Sequence, residues 1–178
     1  MKNSIVLPLT VTVLCAVLLS GISFALRDTA AERAQAEHIR IMQIILPGST
    51  EFVVEPYVGE DVNIRCVHKG ENGFVIETVT EGYAGDITML TGVNKEGAVT
   101  GFVVLDMEET LGLGTGALTD HRFLTQMLNT SGEAEVGVNV DAISGATVTS
   151  KAVVRSVNSA AAFVTGADVD SGATFWGG

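Results

Sequence analysis

Hydrophobic and polar positions divide the chain into three textures. Residues 3–26 carry no charge, and the apolar run over 4–26 is 23 residues long. As a helix it would rise roughly 34 Å at about 1.5 Å per residue, enough for a hydrocarbon core of about 30 Å, so the run predicts a single transmembrane helix. Residues 27–46 mix Ala, Ile and Met with Glu, Arg and Gln and contain no Gly or Pro. They predict a helix that continues out of the anchor until Pro47-Gly48 stops it. Its apolar end, with Ile39, Ile41, Met42, Ile44, Ile45 and Leu46, suits docking on a domain.

From residue 52 the period changes to short β-type runs, over 52–54, 62–67, 74–79, 87–93 and 99–105. Asn72-Gly73 and Lys95-Glu96-Gly97 between them have hairpin chemistry, because Asn and Gly tolerate the positive φ of tight turns. Antiparallel strands are expected. Residues 118–128 have helical spacing, 136–140 read as a further strand, and 151–164 as an Ala/Val-rich helix packed on the sheet. The expected fold class is α+β: one amino-terminal transmembrane helix, then a small extracytoplasmic domain with an antiparallel sheet and packed helices. The expected divisions are a cytoplasmic start and anchor at 1–27, a connecting helix at 28–50, the domain at 51–165 and a flexible tail at 166–178.

Lys2 precedes the apolar run and Arg27 follows it, a weak bias that leaves the short amino-terminal side in the cytoplasm. The location implied is the cell membrane, single-pass, with the domain outside. A cleaved signal peptide is the other reading, since Ser23-Phe24-Ala25 has a small-x-small form, although the run exceeds the usual apolar region of about 7 to 15 residues.

The formal net charge is −11, and residues 27–178 hold nine basic against 21 acidic residues, or −12. Nucleic acid and anionic lipid are poor partners for such a surface. Cys15 lies in the apolar run and Cys66 far from it, so no disulfide framework is expected. His38, His68 and His121 lack metal-ligand spacing, and no metal site is expected.

Candidate chemistry concentrates in Asp141-Ala142-Ile143-Ser144-Gly145-Ala146-Thr147-Val148-Thr149-Ser150, ahead of the last helix. Small residues let backbone N–H groups approach a ligand, and a helix start offers unpaired donors with partial positive charge, a combination suited to phosphate. Ser and Thr oxygens could act as nucleophiles, or the sequence could be an ordinary helix cap. A Gly112-x-Gly114-x-Gly116 series is not the Gly-x-Gly-x-x-Gly dinucleotide fingerprint and has no βαβ surroundings.

Asp-x-x-Ser-Gly-Ala-Thr followed by Thr-Ser resembles the flavinylation motif of the FMN-binding domain family. That family includes the G subunit of Rnf complexes and the C subunit of sodium-pumping NADH:quinone reductases. The resemblance implies covalent FMN, joined by a phosphoester to Thr147 by a flavin transferase with FAD as donor. Ser144, Gly145, Ala146, Val148 and Thr149 would line the cofactor. A second match, Gly82-Tyr83-Ala84-Gly85-Asp86-Ile87 and then Glu109-Thr110-Leu111-Gly112-Leu113-Gly114, resembles the family's Glu-Thr-Pro-Gly-Leu-Gly loop, with Leu111 in place of proline. It implies that Glu109, Thr110, Gly112, Leu113 and Gly114 lie beside the flavin. The compact length is more similar to the Rnf member than to the quinone-reductase one.

By that resemblance the chain would be an electron-transfer subunit of an Rnf-type complex coupling ferredoxin:NAD oxidoreduction to Na⁺ or H⁺ movement. Its partners would be the other membrane and peripheral subunits. Alternatives are the corresponding quinone-reductase subunit, or a tethered binding or assembly module without flavin. Asp168-Val169-Asp170-Ser171-Gly172-Ala173-Thr174 repeats the motif's spacing, with four residues behind it. Thr147, with a helix behind it, is the expected functional site.

Overall fold

The computed structural model describes residues 3–107 and 118–166, without the side chains at 3–11, 19 and 22–31. Helix α1 spans Asn3–Ile45, so the two stretches expected over 4–26 and 27–46 form one backbone helix. Among the described residues no helix is long and apolar enough to cross a membrane. Most side chains of the 4–26 run lie outside that description. The chain divides into two compact units, Met1–Arg40 and Ile41–Gly178.

The β-type runs become β1 (Val53–Glu55), β2 (Ile64–Gly70), β3 (Gly73–Glu81), β4 (Asp86–Asn94) and β5 (Val99–Met107). They form one sheet in the order β1-β2-β3-β4-β5, each strand antiparallel to the next. The expected hairpins are present: Gly70 pairs with Gly73 across a two-residue connection. At the β4–β5 turn Gly97 takes φ 88°, and the Asn94 side chain accepts the N–H groups of Glu96 and Ala98 at 3.1 and 2.8 Å. Asn94 therefore replaces with its own oxygen the ladder bonds that the turn breaks.

Two expected elements differ. The helix expected over 118–128 is α2, only His121–Thr125, started by Asp120, whose carboxylate accepts the N–H groups of Arg122 and Phe123. It gives way to turns ending at Asn129, with φ 63°, a conformation that helix does not use. The strand expected over 136–140 does not form. The segment turns back on itself, with the Gly137 N–H donating to Val140 O at 2.8 Å and Gly137 at φ 87°. Asn139 locks the turn by accepting the Glu135 N–H and donating to Glu133 O.

The last helix, α3 (Thr147–Thr165), starts four residues earlier than expected and ends at Gly166 in the left-handed conformation. It lies along one face of the sheet, where Ile87, Met89 and Val99 form a core with Phe123, Met127, Val153 and Val157. Alternation along the strands sends Val75 and Leu90 to the opposite face. There they bury Met42, Ile45 and Leu46 of the connecting segment, as its apolar end predicts. Gly92 and Gly101, paired across β4 and β5, leave a bare patch of sheet against which the Ile45 backbone lies.

Hydroxyls and one amide fasten α3. Thr78 and Ser156 share a buried hydrogen bond, and the Thr80 hydroxyl donates to Ala152 O at 3.1 Å. The buried Asn158 amide accepts the Ala134 N–H at 3.2 Å and donates to Ala134 O at 2.7 Å, tying the 130–140 segment to the helix.

Candidate functional site

The order of those contacts fixes direction: Thr78 meets Ser156, and Thr80, further along β3, meets the earlier helical residue Ala152. Helix α3 thus runs antiparallel to β3, and its amino terminus lies toward the end of the sheet where β3 turns into β4. That turn is the Gly82–Gly85 segment, closed by a Gly82 N–H to Gly85 O bond of 2.9 Å. At the same end β5 finishes, with Met107 paired to Ile87. The Gly82–Gly85 turn and Thr147, far apart in the chain, therefore lie toward the same end of the sheet. The far end of α3 abuts the β4–β5 turn instead, where a Cβ on Gly97 would strike Thr165.

Locally, the 143–150 segment is a turn that hands the chain into the helix. The Ala146 N–H donates to Ile143 O at 3.0 Å, and Gly145 between them takes φ 83°. A side chain at 145 would be strained, which gives the glycine of Ser-Gly-Ala-Thr a backbone reason. Ser150, fully buried, accepts the Ile143 N–H and donates to Ala146 O, bracing both sides of the turn. Ile143 anchors it on the main core, as do Met107 and Leu118, the two flanks of the 108–117 segment.

Ala146 is the N-cap and no side chain caps the helix. The alternative reading, an ordinary Ser/Thr cap, is not what stands at the N-cap position. Among the described residues no side chain takes up the first-turn N–H groups, and no acidic residue sits in that turn. Ser144, Gly145 and Thr147 are exposed, Val148 is half-buried, and Ala146 and Thr149 are buried. The Thr147 hydroxyl therefore stands at the surface beside free donors, with its frame held in the core. That arrangement can receive an anion and bond to it covalently.

Glu109, Thr110, Gly112, Leu113 and Gly114 lie outside the described residues, as does Thr174. Gln126, which no motif signals, holds the approach to the site: its side chain accepts the Asp141 N–H at 2.8 Å and donates to Arg122 O at 3.1 Å. Cys66 is half-buried, and burial, then the Glu77 carboxylate, push its thiol pKa up. It is poorly suited to act as a thiolate. Arg155, two turns along α3 from Thr147, has a buried Nε with no hydrogen-bond partner among the described residues.

Comparison with known proteins matches residues 82–162 to the FMN-binding domain family, a span that opens at the β3–β4 turn and closes within α3. The G subunit of the Na⁺-translocating ferredoxin:NAD⁺ oxidoreductase complex of Acetobacterium woodii is 34% identical over 117 residues, 61% of this chain and 54% of that protein. Against that relative the chain spans about half its length. The G subunit of the ion-translocating oxidoreductase complex of Methanosarcina acetivorans is 32% identical over 173 residues, 87% of this chain and 91% of that protein. The protein of the same name from Haemophilus influenzae is 26% identical over 175 residues, 85% of this chain and 84% of its own. The chain belongs to the family of G subunits of ion-translocating oxidoreductase complexes, and its FMN-binding domain contains both the β3–β4 turn and the exposed threonine that starts α3.

Proposed function

We propose that this chain is a membrane-anchored relay subunit that holds FMN by a phosphoester to Thr147 and passes electrons within an Rnf-type complex coupling ferredoxin:NAD oxidoreduction to Na⁺ or H⁺ translocation. The observation that carries the reading is the exposed Thr147 hydroxyl at an uncapped helix start, inside the FMN-binding match and at the β3–β4 end of the sheet. The residues fit the group: first-turn N–H donors suit its phosphate, and among the described residues the Arg155 Nε lacks an acceptor. Bound FMN would supply the redox chemistry, and the chain would fix its position and tune its potential.

Attachment is a phosphoryl transfer. The Thr147 oxygen bonds to the FMN-side phosphorus of FAD, the pyrophosphate P–O bond breaks, and AMP leaves as the hydroxyl proton is lost. A flavin transferase is the partner for this step. Ser144, Gly145, Ala146, Val148 and Thr149 would line the phosphate, and Glu109, Thr110, Gly112, Leu113 and Gly114 the ring. The other subunits of the complex are the lasting partners. The name of the Acetobacterium relative, a subunit of a ferredoxin:NAD⁺ oxidoreductase complex, favours this complex over a quinone reductase.

In native membranes, the denatured chain on a gel should keep yellow flavin fluorescence and co-purify with further subunits. A colourless chain would remove the phosphoester from the proposal. The uncharged 4–26 run supports a retained anchor with the domain outside. Protease added to intact cells should accordingly cleave the domain. Complete protection, or a mature chain beginning near Arg27, would sink that topology.

A further inference from the structure

Helix α3 is covered almost all round. From Thr147 to Ala162 every residue is buried except Thr147, Val148, Lys151 and Arg155. Three of these are four apart, so Thr147, Lys151 and Arg155 form one line along the helix, with neighbours about 5–6 Å apart at Cβ. Long side chains on a helix lean toward its amino terminus. That tendency carries Lys151 toward the Thr147 turn, and Arg155 toward that of Lys151.

Electrostatics makes this line unusual for the molecule. Residues 27–178 carry nine basic against 21 acidic residues, yet α3 holds two cations and no acid. Among the described residues neither Lys151 nor Arg155 forms an ion pair; the two salt bridges, Arg40–Glu37 and Lys69–Glu55, lie elsewhere. The Arg155 Nε is buried without an acceptor among the described residues. A phosphate approaching a net-negative domain needs local positive charge, and helix-start N–H groups supply only part of it.

We infer that Lys151, backed by Arg155, is the cationic clamp that positions the phosphate at Thr147. This inference rests on the phosphoester reading above and deepens it. The clamp would hold the donor's pyrophosphate while the Thr147 oxygen attacks, and afterwards neutralise the single negative charge of the phosphodiester.

The test uses the full-length chain with its flavin transferase and FAD, following the initial rate of covalent flavin incorporation at several salt concentrations. Lys151→Gln should slow incorporation about tenfold, the scale of one charge-assisted hydrogen bond. Lys151→Arg should restore most of the rate, and Lys151→Glu should fall below Lys151→Gln. Added salt should slow the wild type more than Lys151→Gln, and Arg155→Gln should show a smaller loss in the same direction. In flavinylated chains the ³¹P resonance should move in Lys151→Gln while the thermal midpoint stays put. Wild-type rate and salt dependence in Lys151→Gln would overturn the clamp, as would Lys151→Arg as slow as Lys151→Gln, which would point to shape rather than charge. Flavin found on another residue of the wild type would overturn the phosphoester reading itself, and the clamp with it.

Discussion

Thr147→Ala is expected to abolish covalent flavin completely, while Thr174→Ala keeps a full complement. Both threonines end an Asp-x-x-Ser-Gly-Ala-Thr sequence, so the discrimination must come from what surrounds them. Around Thr147 the Ile143–Ala146 turn, the buried Ser150 brace and the uncapped helix start hold one hydroxyl at the surface beside fixed donors. Thr174 lies outside the described residues, and none of these fixed groups is near it in sequence. Replacing the exposed Thr147 removes no core packing, so stability should change by less than about 0.5 kcal/mol. Peptide mass spectrometry and fluorescence of the denatured band separate the outcomes; flavin retained in Thr147→Ala and lost in Thr174→Ala would reverse the assignment.

Gly92→Val is expected to destabilise the domain by about 3 kcal/mol, near the upper end of ordinary overpacking. A Cβ there would lie 2.4 Å from the Ile45 carbonyl oxygen and 2.8 Å from its carbon. Both are backbone atoms, and the Thr100 hydroxyl also donates to that oxygen, so no flexible side-chain end can swing away. Strand β4 is interior to the sheet and cannot shift without breaking ladders on both sides. Urea unfolding of the flavin-free chain should show the loss as a lower midpoint with an unchanged slope. A change below about 1 kcal/mol would mean that the connecting segment lifts off the sheet at little cost.

Much of the sheet was legible because its strands alternate and its turns use Asn and Gly. The 74–79 and 87–93 runs sit inside β3 and β4, which extend further only because backbone pairing continues through Glu81 and Asp86. The 136–140 run misled because Val136, Val138 and Val140 alternate as a strand would, while Gly137 and Asn139 supply a turn. Helix α3 was read late because Thr147, Thr149 and Ser150 look like cap residues; burial of Thr149 and Ser150 makes them helical instead. For the site, the motif pointed to Thr147, and the helix entry was readable as a place for phosphate. That the 82–85 turn lies at the same end was not readable, since it depends on Thr78 and Thr80 bonding to Ser156 and Ala152. Polar residues buried between helix and sheet carry no periodic signature. Gln126 at Asp141 escaped notice for the same reason.

The strand order β1 to β5, with no crossover, also has a kinetic meaning. Each strand pairs with the one made just before it, so the sheet grows from contacts close in sequence, the kind that form fastest. Helix α3 comes after all of them and needs Thr78 and Thr80 already in place to seat Ser156 and Ala152. The turn that presents Thr147 is thus expected to finish last, as α3 closes on a completed sheet. A transferase that recognises this turn in its folded shape would attach its cofactor only to chains that have finished folding, so the yellow colour of the protein would double as a certificate of its assembly.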